Sequence, residues 1–375
     1  MIIGILKEPE YEKRVALLPD NVKTLIGLNT LVIAEKEAGM GAFYSDKDYN
    51  DAGAKSVDRK KLLTDSDLII SINPLSADEI SGLKENQAVL TAFAPLSNAN
   101  LVKRFIDLNI TSFSMDMVPR ISRSQSMDIL SSMATVAGYK AVLTAANHLP
   151  TFFPMFMTAA GTIRPSKVLV LGAGVAGLQA LATARKLGAV VEAFDVRTAV
   201  KEQVESLGGK FVEVEGAKDD SSAGGYAVEQ TEEYKKKQQE LIQDHAKKAN
   251  VVITTAQIPG RKAPILITKD TVDNMIPGSV IIDLAASTGG NCEYTENNKL
   301  IEVSKVKIIG NSNFPSEMPS DASKMYGNNV INFMKLIIDE AGNLKLDFGD
   351  EVVKGTCITH NKEIINERVK SNIKT

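Results

Sequence analysis

The sequence is poor in cysteine and histidine, and this limits the chemistry that it can carry. Among 375 residues there are two cysteines and three histidines. Cys292 and Cys357 show no C-x-x-C spacing, so we expect neither a disulfide framework nor a zinc site, and we expect a reducing compartment such as the cytoplasm. The histidines, His148, His245 and His360, form no recognisable constellation, and we predict no metal site.

Charge and hydropathy exclude two further classes. The 43 basic and 46 acidic side chains leave a formal charge of −3, which gives no basic surface for a nucleic acid. No stretch supplies the roughly 20 unbroken apolar residues that span a bilayer, since Pro154 interrupts the run at 151–162. The first six residues lead straight to Lys7 and Glu8, so they predict a β-strand rather than a signal peptide. We therefore expect a chain that does not itself cross a membrane.

Short apolar strands alternate with helix-like segments in two series, which predicts parallel α/β sheets. The length suffices for about two domains. We expect the first series at 2–6, 31–34, 68–72, 88–93 and 110–113, and the second at 168–171, 190–194, 251–254, 280–284 and 306–309. The predicted fold class is α/β, with two Rossmann-like, doubly wound parallel-sheet domains and a cleft between them.

The residues after the second series are expected to return to the first domain. We predict a helix at 321–338 and then a β-hairpin with strands at 344–348 and 352–358. The chain is therefore divided into an N-terminal domain, residues 1–130 plus 321–375, and a nucleotide-binding domain, residues 131–320.

A glycine-rich turn lies near the start of the second series. The sequence Gly172-Ala173-Gly174-Val175-Ala176-Gly177 follows an apolar strand and precedes helix-forming residues. In this G-x-G-x-x-G pattern Gly172 permits a tight turn, Gly174 lets the backbone approach a pyrophosphate, and Gly177 lets the helix pack closely on the strand. The helix N-terminus, with Val175 and Ala176, then faces the phosphates. The complete context predicts a dinucleotide site rather than an α/β turn of similar composition.

The turn after the next predicted strand bears on the choice between NAD and NADP. Asp195 ends that strand, where a carboxylate accepts hydrogen bonds from the adenosine ribose hydroxyls and repels a 2′-phosphate. Val196 and Arg197 follow it, and an arginine in this turn can accommodate a 2′-phosphate, which weakens the preference without reversing it. We therefore expect NAD.

A segment rich in small and polar residues lies between residues 213 and 230. Two glycines immediately precede Tyr226 within it. Such composition predicts a loop, and two interpretations stay open: a plain solvated connection, or a lid at 216–230 that closes over bound nucleotide. The highly charged residues 231–248 that follow predict a surface helix.

A polar stripe of unusual composition is predicted on a helix at 119–139. At about 100° per residue, six polar side chains share an arc of roughly 120°: Gln125, Asp128, Ser131, Ser132, Thr135 and Tyr139. A half-exposed helix would account for this pattern, but a solvated face usually carries lysine and glutamate. This face carries amides and hydroxyls, a single aspartate and a flanking Arg120. Such short donors and acceptors suit a carboxamide ligand such as nicotinamide.

Together with other segments, this stripe resembles a known family. The shared elements are RISRSQSMDILSS at 120–132, MTAAGT at 157–162, Leu-Gln at 178–179, KEQVESLGGKF at 201–211, AGGYA at 223–227, and the segments 278–284 and 289–292. They are similar to the NAD(H)-binding component, domain I of the alpha subunit, of proton-translocating NAD(P) transhydrogenase. The similarity runs over nearly all of the chain.

The resemblance implies roles for individual residues. Arg120, Asp128 and Ser131 would position the nicotinamide of NAD(H), and Gln125 would reach towards the nicotinamide of a second nucleotide. Tyr139 would complete this region of the site.

The resemblance also implies contacts to the rest of the nucleotide. The glycine turn and Asp195 would bind NAD(H), and Tyr226 would close over it. Gln230 stands where the family is expected to have a methionine, so the resemblance does not extend to this position of the loop.

The implied reaction is hydride transfer between NADH and NADP⁺. A separate component would supply NADP(H), since only one dinucleotide fingerprint is present, and a membrane-spanning component would couple the reaction to proton movement. The chain would attach peripherally to the membrane through these partners and form a homodimer. Hydride transfer requires two rings held face to face with water excluded, and no metal or general base. Arg120, Gln125 and Asp128 would therefore act by orientation.

Alanine dehydrogenase is similar to the same family and is the principal alternative. Amino-acid oxidation needs an arginine for the substrate carboxylate, with a lysine and a histidine as polarising group and acid/base. Arg14 is retained, but the strand ends at 68–74 and 89–94 contain neither lysine nor histidine, and Ser287 replaces an expected aspartate. A third interpretation, a nucleotide sensor without catalysis, would leave the Gln125 stripe without a use.

Overall fold

The computed structural model describes residues 1–214, 232–257 and 260–374, and its contacts divide the chain into two compact units. Unit 1 comprises Met1–Met133 and Pro315–Thr375, and unit 2 comprises Ala134–Phe314. The C-terminal residues Pro315–Thr375 are thus grouped with the N-terminal residues in unit 1. The boundaries at 130/131 and 320/321 stay a prediction of which segments fold together.

Strands and helices alternate at the start of unit 1. The strands are β1 (Ile2–Ile5), β2 (Leu31–Glu35), β3 (Lys55–Val57), β4 (Leu68–Ile70), β5 (Ala88–Thr91) and β6 (Thr111–Ser114). The helices are α1 (Pro19–Gly27), α2 (Asp46–Asp51), α3 (Arg59–Asp65), α4 (Ala77–Ser81) and α5 (Ala99–Asp107). All six strands pair in parallel in the order β3-β2-β1-β4-β5-β6. This is the doubly wound order, in which strand addition reverses direction beside β1.

The long helix α6 (Ile129–His148) begins in unit 1 and continues into unit 2. By length and composition it could cross a membrane, and 33% of its most apolar 18-residue stretch is buried. The sequence pattern predicts no such stretch; α6 qualifies because its serines, threonines and glycine break a strictly apolar run while adding little charge. One such helix is weak evidence for a membrane span, since core helices of soluble proteins meet the same criterion.

Unit 2 repeats the doubly wound order. Its strands are β7 (Phe156–Thr158), β8 (Gly161–Ile163), β9 (Lys167–Leu171), β10 (Val190–Phe194), β11 (Lys210–Phe211), β12 (Val251–Thr254), β13 (Val280–Asp283), β14 (Lys299–Val303) and β15 (Val306–Gly310). Its other helices are α7 (Val175–Lys186), α8 (Lys201–Ser206), α9 (Glu232–Lys247) and α10 (Lys269–Asp273). The main sheet has the order β11-β10-β9-β12-β13-β15-β14, antiparallel only at β14, and all five predicted strands lie in it.

The C-terminal segment completes the sheet of unit 1 and corrects one prediction. It consists of α11 (Pro319–Ile337), α12 (Glu351–Thr356), β16 (Cys357–His360), β17 (Glu363–Ile364) and α13 (Glu367–Lys374), with β16 antiparallel to β6. The hairpin predicted at 344–348 and 352–358 is wrong, because residues 351–356 are helical. Asp350 caps this helix by accepting hydrogen bonds from the amides of Val352 at 2.8 Å and Val353 at 3.3 Å, which outweighs the β preference of the valines.

Candidate functional site

The three glycines of the turn after β9 differ in what surrounds them. Gly172 has a φ of +104°, a left-handed conformation that side chains disfavour. A Cβ on Gly177 would overlap the carbonyl oxygen of Gly172, so α7 could not pack as closely on β9. A Cβ on Gly174 would meet no atom within 4 Å. The space beside Gly174 is therefore open, as approach of a pyrophosphate to the backbone requires.

Neighbouring strands hold this turn in place. The amide of Gly172 donates to the carbonyl of Phe194 at 2.8 Å, and Oγ1 of Thr255 donates to the carbonyl of Gly172 at 3.1 Å. Helix α7 begins immediately, at Val175, with Ala176 in its first turn. The first amides of a helix have no carbonyl partner within it, and they favour an anionic group such as phosphate.

Asp195 is tied into the turn. Its Oδ2 accepts from the amide of Ala173 at 2.7 Å and from Nη2 of Arg197 at 2.9 Å, and its Oδ1 accepts from the amide and Nε of Arg197, both at 2.9 Å. Hydrogen bonding to Asp195 raises the pKa of Arg197. With four donors already on this carboxylate, a ribose hydroxyl can bind only by sharing or displacing a contact of Arg197. Val196 lies between the two residues.

Helix α6 touches the turn directly through a glycine that sequence reasoning missed. A Cβ on Gly138 would overlap the carbonyl oxygen of Ala176. An isolated glycine inside a helical pattern is a signal of such close packing. The next residue, Tyr139, is 38% exposed, so its side chain reaches the surface.

The helix predicted at 119–139 is interrupted. Residues Ser122–Met127 form a 3-10 helix, Asp128 is extended with φ −78° and ψ 94°, and α6 begins only at Ile129. The arc predicted at 100° per residue therefore holds from Ser131 onwards and does not include Gln125. Helix α6 begins only after Asp128 because the side chain of Asp128 caps its N-terminus.

Asp128 and Ser131 form a compact hydrogen-bonded pair. Oδ1 of Asp128 accepts from the amide of Ser131 at 3.0 Å, and Oδ2 accepts from its hydroxyl at 2.6 Å. The first bond is an N-cap, which satisfies one of the free amides at the start of the helix. The pair therefore has a structural role, and its contact with a ligand stays a prediction.

The 3-10 segment that carries Gln125 is fastened from several sides. Oγ of Ser124 donates to the carbonyl oxygens of Pro119 and Ile121. Arg123 forms a two-point ion pair with Asp350, with N–O distances of 2.8 and 2.5 Å. The side chains of Arg120 and Gln125 are exposed.

Two asparagines of α11 also hold this segment. Nδ2 of Asn329 and Nδ2 of Asn332 both donate to the carbonyl of Ser126. Nothing in the sequence links these residues to position 126. Tyr226 and Gln230, the two loop residues singled out above, lie outside the described residues.

The turn after β1 in unit 1, which corresponds to the glycine turn of unit 2, contains the buried side chain of Glu8. Glu8 follows β1 and is 7% exposed. Its carboxylate accepts from the amides of Ile72 at 2.5 Å and Asn73 at 3.0 Å and from Nδ2 of Asn73 at 2.9 Å. Burial raises the pKa of Glu8, although these hydrogen bonds act in the opposite direction. The amides after β4, which could bind an anion at this position, are already occupied.

Arg14 is the arginine that the alternative reaction would use for its substrate carboxylate, and its side chain is paired within the protein. Its Nε and Nη2 donate to the two carboxylate oxygens of Glu12 at 2.8 and 2.6 Å, and its Nη1 contacts Sδ of Met133 at 2.9 Å. Burial alone would raise the pKa of Glu12, but hydrogen bonds and the charge of Arg14 hold it below the ordinary value. This two-point pairing is the geometry with which an arginine would bind a substrate carboxylate.

Sequence comparisons identify relatives of the chain. Residues 4–137 match the family described as "Alanine dehydrogenase/PNT, N-terminal domain", and residues 141–367 match "Alanine dehydrogenase/PNT, C-terminal domain". The chain is 46% identical to a NAD(P) transhydrogenase subunit alpha polypeptide of Rhodospirillum rubrum, with 98% of both proteins covered. It is 44% identical to NAD(P) transhydrogenase subunit alpha of Haemophilus influenzae, covering 97% of this chain and 72% of that protein.

Solved structures agree with these matches. The crystal structure of transhydrogenase from Sinorhizobium meliloti has a TM-score of 0.88 and 42% identity, covering 97% of this chain and 100% of that chain. An L-alanine dehydrogenase has a TM-score of 0.82 at 23% identity, covering 100% and 99%, and shows a shared fold. The predicted fold class and the predicted resemblance are both confirmed.

Proposed function

Because this chain belongs to the alanine dehydrogenase/PNT family and is similar to transhydrogenase alpha subunits, we propose that it is the NAD(H)-binding component of a proton-translocating NAD(P) transhydrogenase. The observation that carries this proposal is the turn after β9. Gly172 and Gly177 meet two separate geometric requirements, and the open side of the turn lies at Gly174 and the start of α7. Such a turn suits the pyrophosphate of a dinucleotide.

The pair Asp195–Arg197 supports a preference for NAD(H) over NADP(H). The negative charge of Asp195 disfavours a 2′-phosphate at the ribose position. Arg197, which could offset that charge, donates three hydrogen bonds to Asp195. In this proposal Val175, Ala176 and Val196 contribute backbone contacts around the same nucleotide.

The proposed role of the segment 120–131 is to orient the nicotinamide ring. A carboxamide offers an NH₂ donor and a carbonyl acceptor, which fit the carboxylate of Asp128 and the guanidinium of Arg120 respectively. The Ser131 hydroxyl donates to Asp128, so its oxygen can act as an acceptor. Bound NADH supplies the hydride, and we propose that Gln125, with Tyr139 and Tyr226 as further contacts, aligns and shields the reacting rings.

Partners are required because the chain contains one glycine fingerprint. We propose that a separate component brings NADP(H), that a membrane-spanning component couples transfer to proton movement, and that the chain attaches to the cytoplasmic face of the membrane through them. No metal takes part in the proposed transfer.

We also propose a homodimer, and the β7–β8 hairpin supports it. Exposed apolar side chains cluster on and before this hairpin: Phe152, Met155, Phe156, Met157 and Ile163, with exposures from 41% to 74%. Exposed apolar patches mark protein interfaces.

The proposal is tested by measuring hydride transfer from NADH to an NADP⁺ analogue with the purified chain, with and without the NADP(H)-binding component. We expect no transfer by either protein alone and turnover when both are present. Oxidation of alanine with NAD⁺ by the chain alone would contradict the proposal. We expect none, because Arg14 is paired with Glu12 and the strand ends in unit 1 lack the lysine and histidine that the alternative reaction needs.

A further inference from the structure

The 3-10 segment Ser122–Met127 is anchored at one backbone atom by two side chains from a distant region of the sequence. Nδ2 of Asn329 donates to the carbonyl oxygen of Ser126 at 2.7 Å, and Nδ2 of Asn332 donates to the same oxygen at 3.1 Å. The two asparagines are three residues apart on α11, so they lie on the same helix face. One carbonyl therefore receives two side-chain donors.

The burial of Asn329 indicates that the choice of an asparagine is not explained by packing. Asn329 is 6% exposed, and among the residues that the structure describes its Oδ1 has no hydrogen-bond partner. A buried polar atom without a partner costs free energy, and an apolar side chain of similar size would avoid this cost. What an apolar side chain could not supply is the donor to Ser126.

Ser126 is well placed to control the direction of Gln125. It lies between Gln125, which is exposed, and Met127, which is buried at 6% exposure. The 3-10 helix has poorer hydrogen-bond geometry than an α-helix, so a short 3-10 segment depends more on outside contacts. The next residue, Asp128, leaves the segment in an extended conformation and caps α6.

We propose that Asn329 and Asn332 are positioning residues for hydride transfer: by holding the carbonyl of Ser126, they fix the segment that presents Gln125. The role of Gln125 in this inference rests on the proposed function. The anchoring of the segment by the two asparagines is independent of that function. Reactive alignment is sensitive to a displacement of about 1 Å. Loosening the segment should therefore slow transfer more than it weakens NADH binding at the glycine turn of unit 2.

The variants Asn329→Ala, Asn332→Ala and the double variant are compared with Asn328→Ala in the full chain. Asn328 lies on the same helix, but its Oδ1 accepts from Nδ2 of Asn21 at 3.3 Å and the residue is exposed. The control therefore makes the same change in helix propensity without removing a donor to Ser126.

Trypsin provides a local readout, because Arg120 and Arg123 flank the start of the segment and are both exposed. Cleavage after these arginines, divided by cleavage at lysines in unit 2, reports local opening. We expect the double variant to be cleaved about tenfold faster than the wild type, and the Asn328→Ala control less than about twofold faster.

A second readout separates positioning from general structural damage. With the NADP(H)-binding component present, we expect kcat of the double variant to fall about tenfold while the Kd for NADH changes by less than about threefold. A merely structural role would lower the urea midpoint and the fraction of chain that binds NADH, without a separate effect on kcat per bound nucleotide.

The outcomes are distinguishable. Unchanged cleavage after Arg120 and Arg123 in the double variant would overturn the inference, whatever the transfer rate. Faster cleavage with wild-type kcat would also overturn it, while the proposed function would stand because the wild type still transfers hydride. Absence of transfer by the wild-type chain would contradict the proposed function, and with it the catalytic aspect of the inference, but the cleavage result would still test the hold on Ser126.

Discussion

The turns after the first strand of each unit differ although the two sheets share one strand order. In unit 2, β9 leads through Gly172 and Gly174 directly into α7, and the turn leaves open space at Gly174. In unit 1, β1 leads through Glu8 to a connection that reaches α1 only at Pro19. There the Glu8 carboxylate occupies the amides that follow the neighbouring strand β4.

The difference teaches that the doubly wound sheet alone does not make a nucleotide site. Ligands of such sheets bind at the carboxyl ends of the strands where strand order reverses, and this point exists in both units. In unit 2 the residues there are glycines and helix amides; in unit 1 they include the buried carboxyl group of Glu8, which accepts hydrogen bonds from two backbone amides. The chain is therefore expected to bind one dinucleotide.

The largest effect is expected from replacing Gly177 in the open turn. Because a Cβ would overlap the carbonyl of Gly172, Gly177→Ala should lower the free energy of unfolding by about 3 kcal/mol and abolish NADH binding. Urea denaturation and NADH fluorescence titration measure the two effects.

Gly174→Ala is the matched control for this variant. Its Cβ meets no atom and its φ is −78°, so stability should stay within about 0.5 kcal/mol while NADH affinity falls about tenfold or more. Equal loss of stability in both variants would contradict the distinction between a packing glycine and a ligand glycine.

The role of Glu8 in the turn after β1 is tested by the substitution Glu8→Gln. An amide cannot accept all the hydrogen bonds that the carboxylate receives, so we expect a loss of about 2 kcal/mol in unfolding free energy with unchanged NADH affinity. Glu10→Gln, an exposed glutamate two residues away, should change neither quantity. Weaker NADH binding by fully folded Glu8→Gln would contradict the inference that only the turn of unit 2 binds the nucleotide.

The effect of Glu8→Gln should depend on pH. Burial raises the pKa of Glu8 in the folded state, so this group favours folding below its unfolded pKa of about 4.3 and loses that contribution as pH rises through the folded value. The stability difference between wild type and Glu8→Gln should therefore be larger at acidic pH and shrink as the pH rises. Urea midpoints of both proteins, measured upwards from the unfolded pKa of about 4.3, check the sign.

A smaller effect is expected from Asp128→Ala. Loss of the N-cap of α6 should cost about 1 kcal/mol, and hydride transfer should also slow because the proposed nicotinamide contact is removed. Asp58→Ala removes a comparable cap, the bond from the amide of Lys61 at the start of α3. It should cost a similar free energy and leave transfer unchanged. Equal transfer rates in the two variants would show that Asp128 caps the helix and does not contribute to hydride transfer.

The smallest change in stability is expected from Gln125→Asn, because this side chain is exposed. Unfolding free energy should change by less than about 0.5 kcal/mol. Transfer with the partner component should slow while NADH affinity stays nearly constant. A large loss of affinity would instead make Gln125 a binding residue.

The sequence predicted the strands of unit 2 well because buried parallel strands are short continuous runs of apolar residues. The β9, β10, β12, β13 and β15 strands lie within a residue of their predicted ends. The glycine turn was predictable for a related reason, since its pattern is local and two of its glycines, Gly172 and Gly177, have steric causes within the turn.

Prediction failed where a single capping carboxylate or a distant partner decided the structure. Asp350 caps α12, so Val352 and Val353 are helical and not extended. Asp128 caps α6, so the helix that periodicity predicted at 119–139 is interrupted at this residue. The contacts of Glu8 with residues 72 and 73, and of Asn329 with Ser126, join positions far apart in the chain. No local pattern encodes such pairs.

The most direct test is calorimetric titration of the purified chain with NADH and, separately, with NADPH. We expect one NADH bound per chain, with the binding lost in Gly177→Ala and retained in Glu8→Gln, and much weaker binding of NADPH. Two NADH molecules per chain, or NADPH binding as tight as NADH, would contradict it.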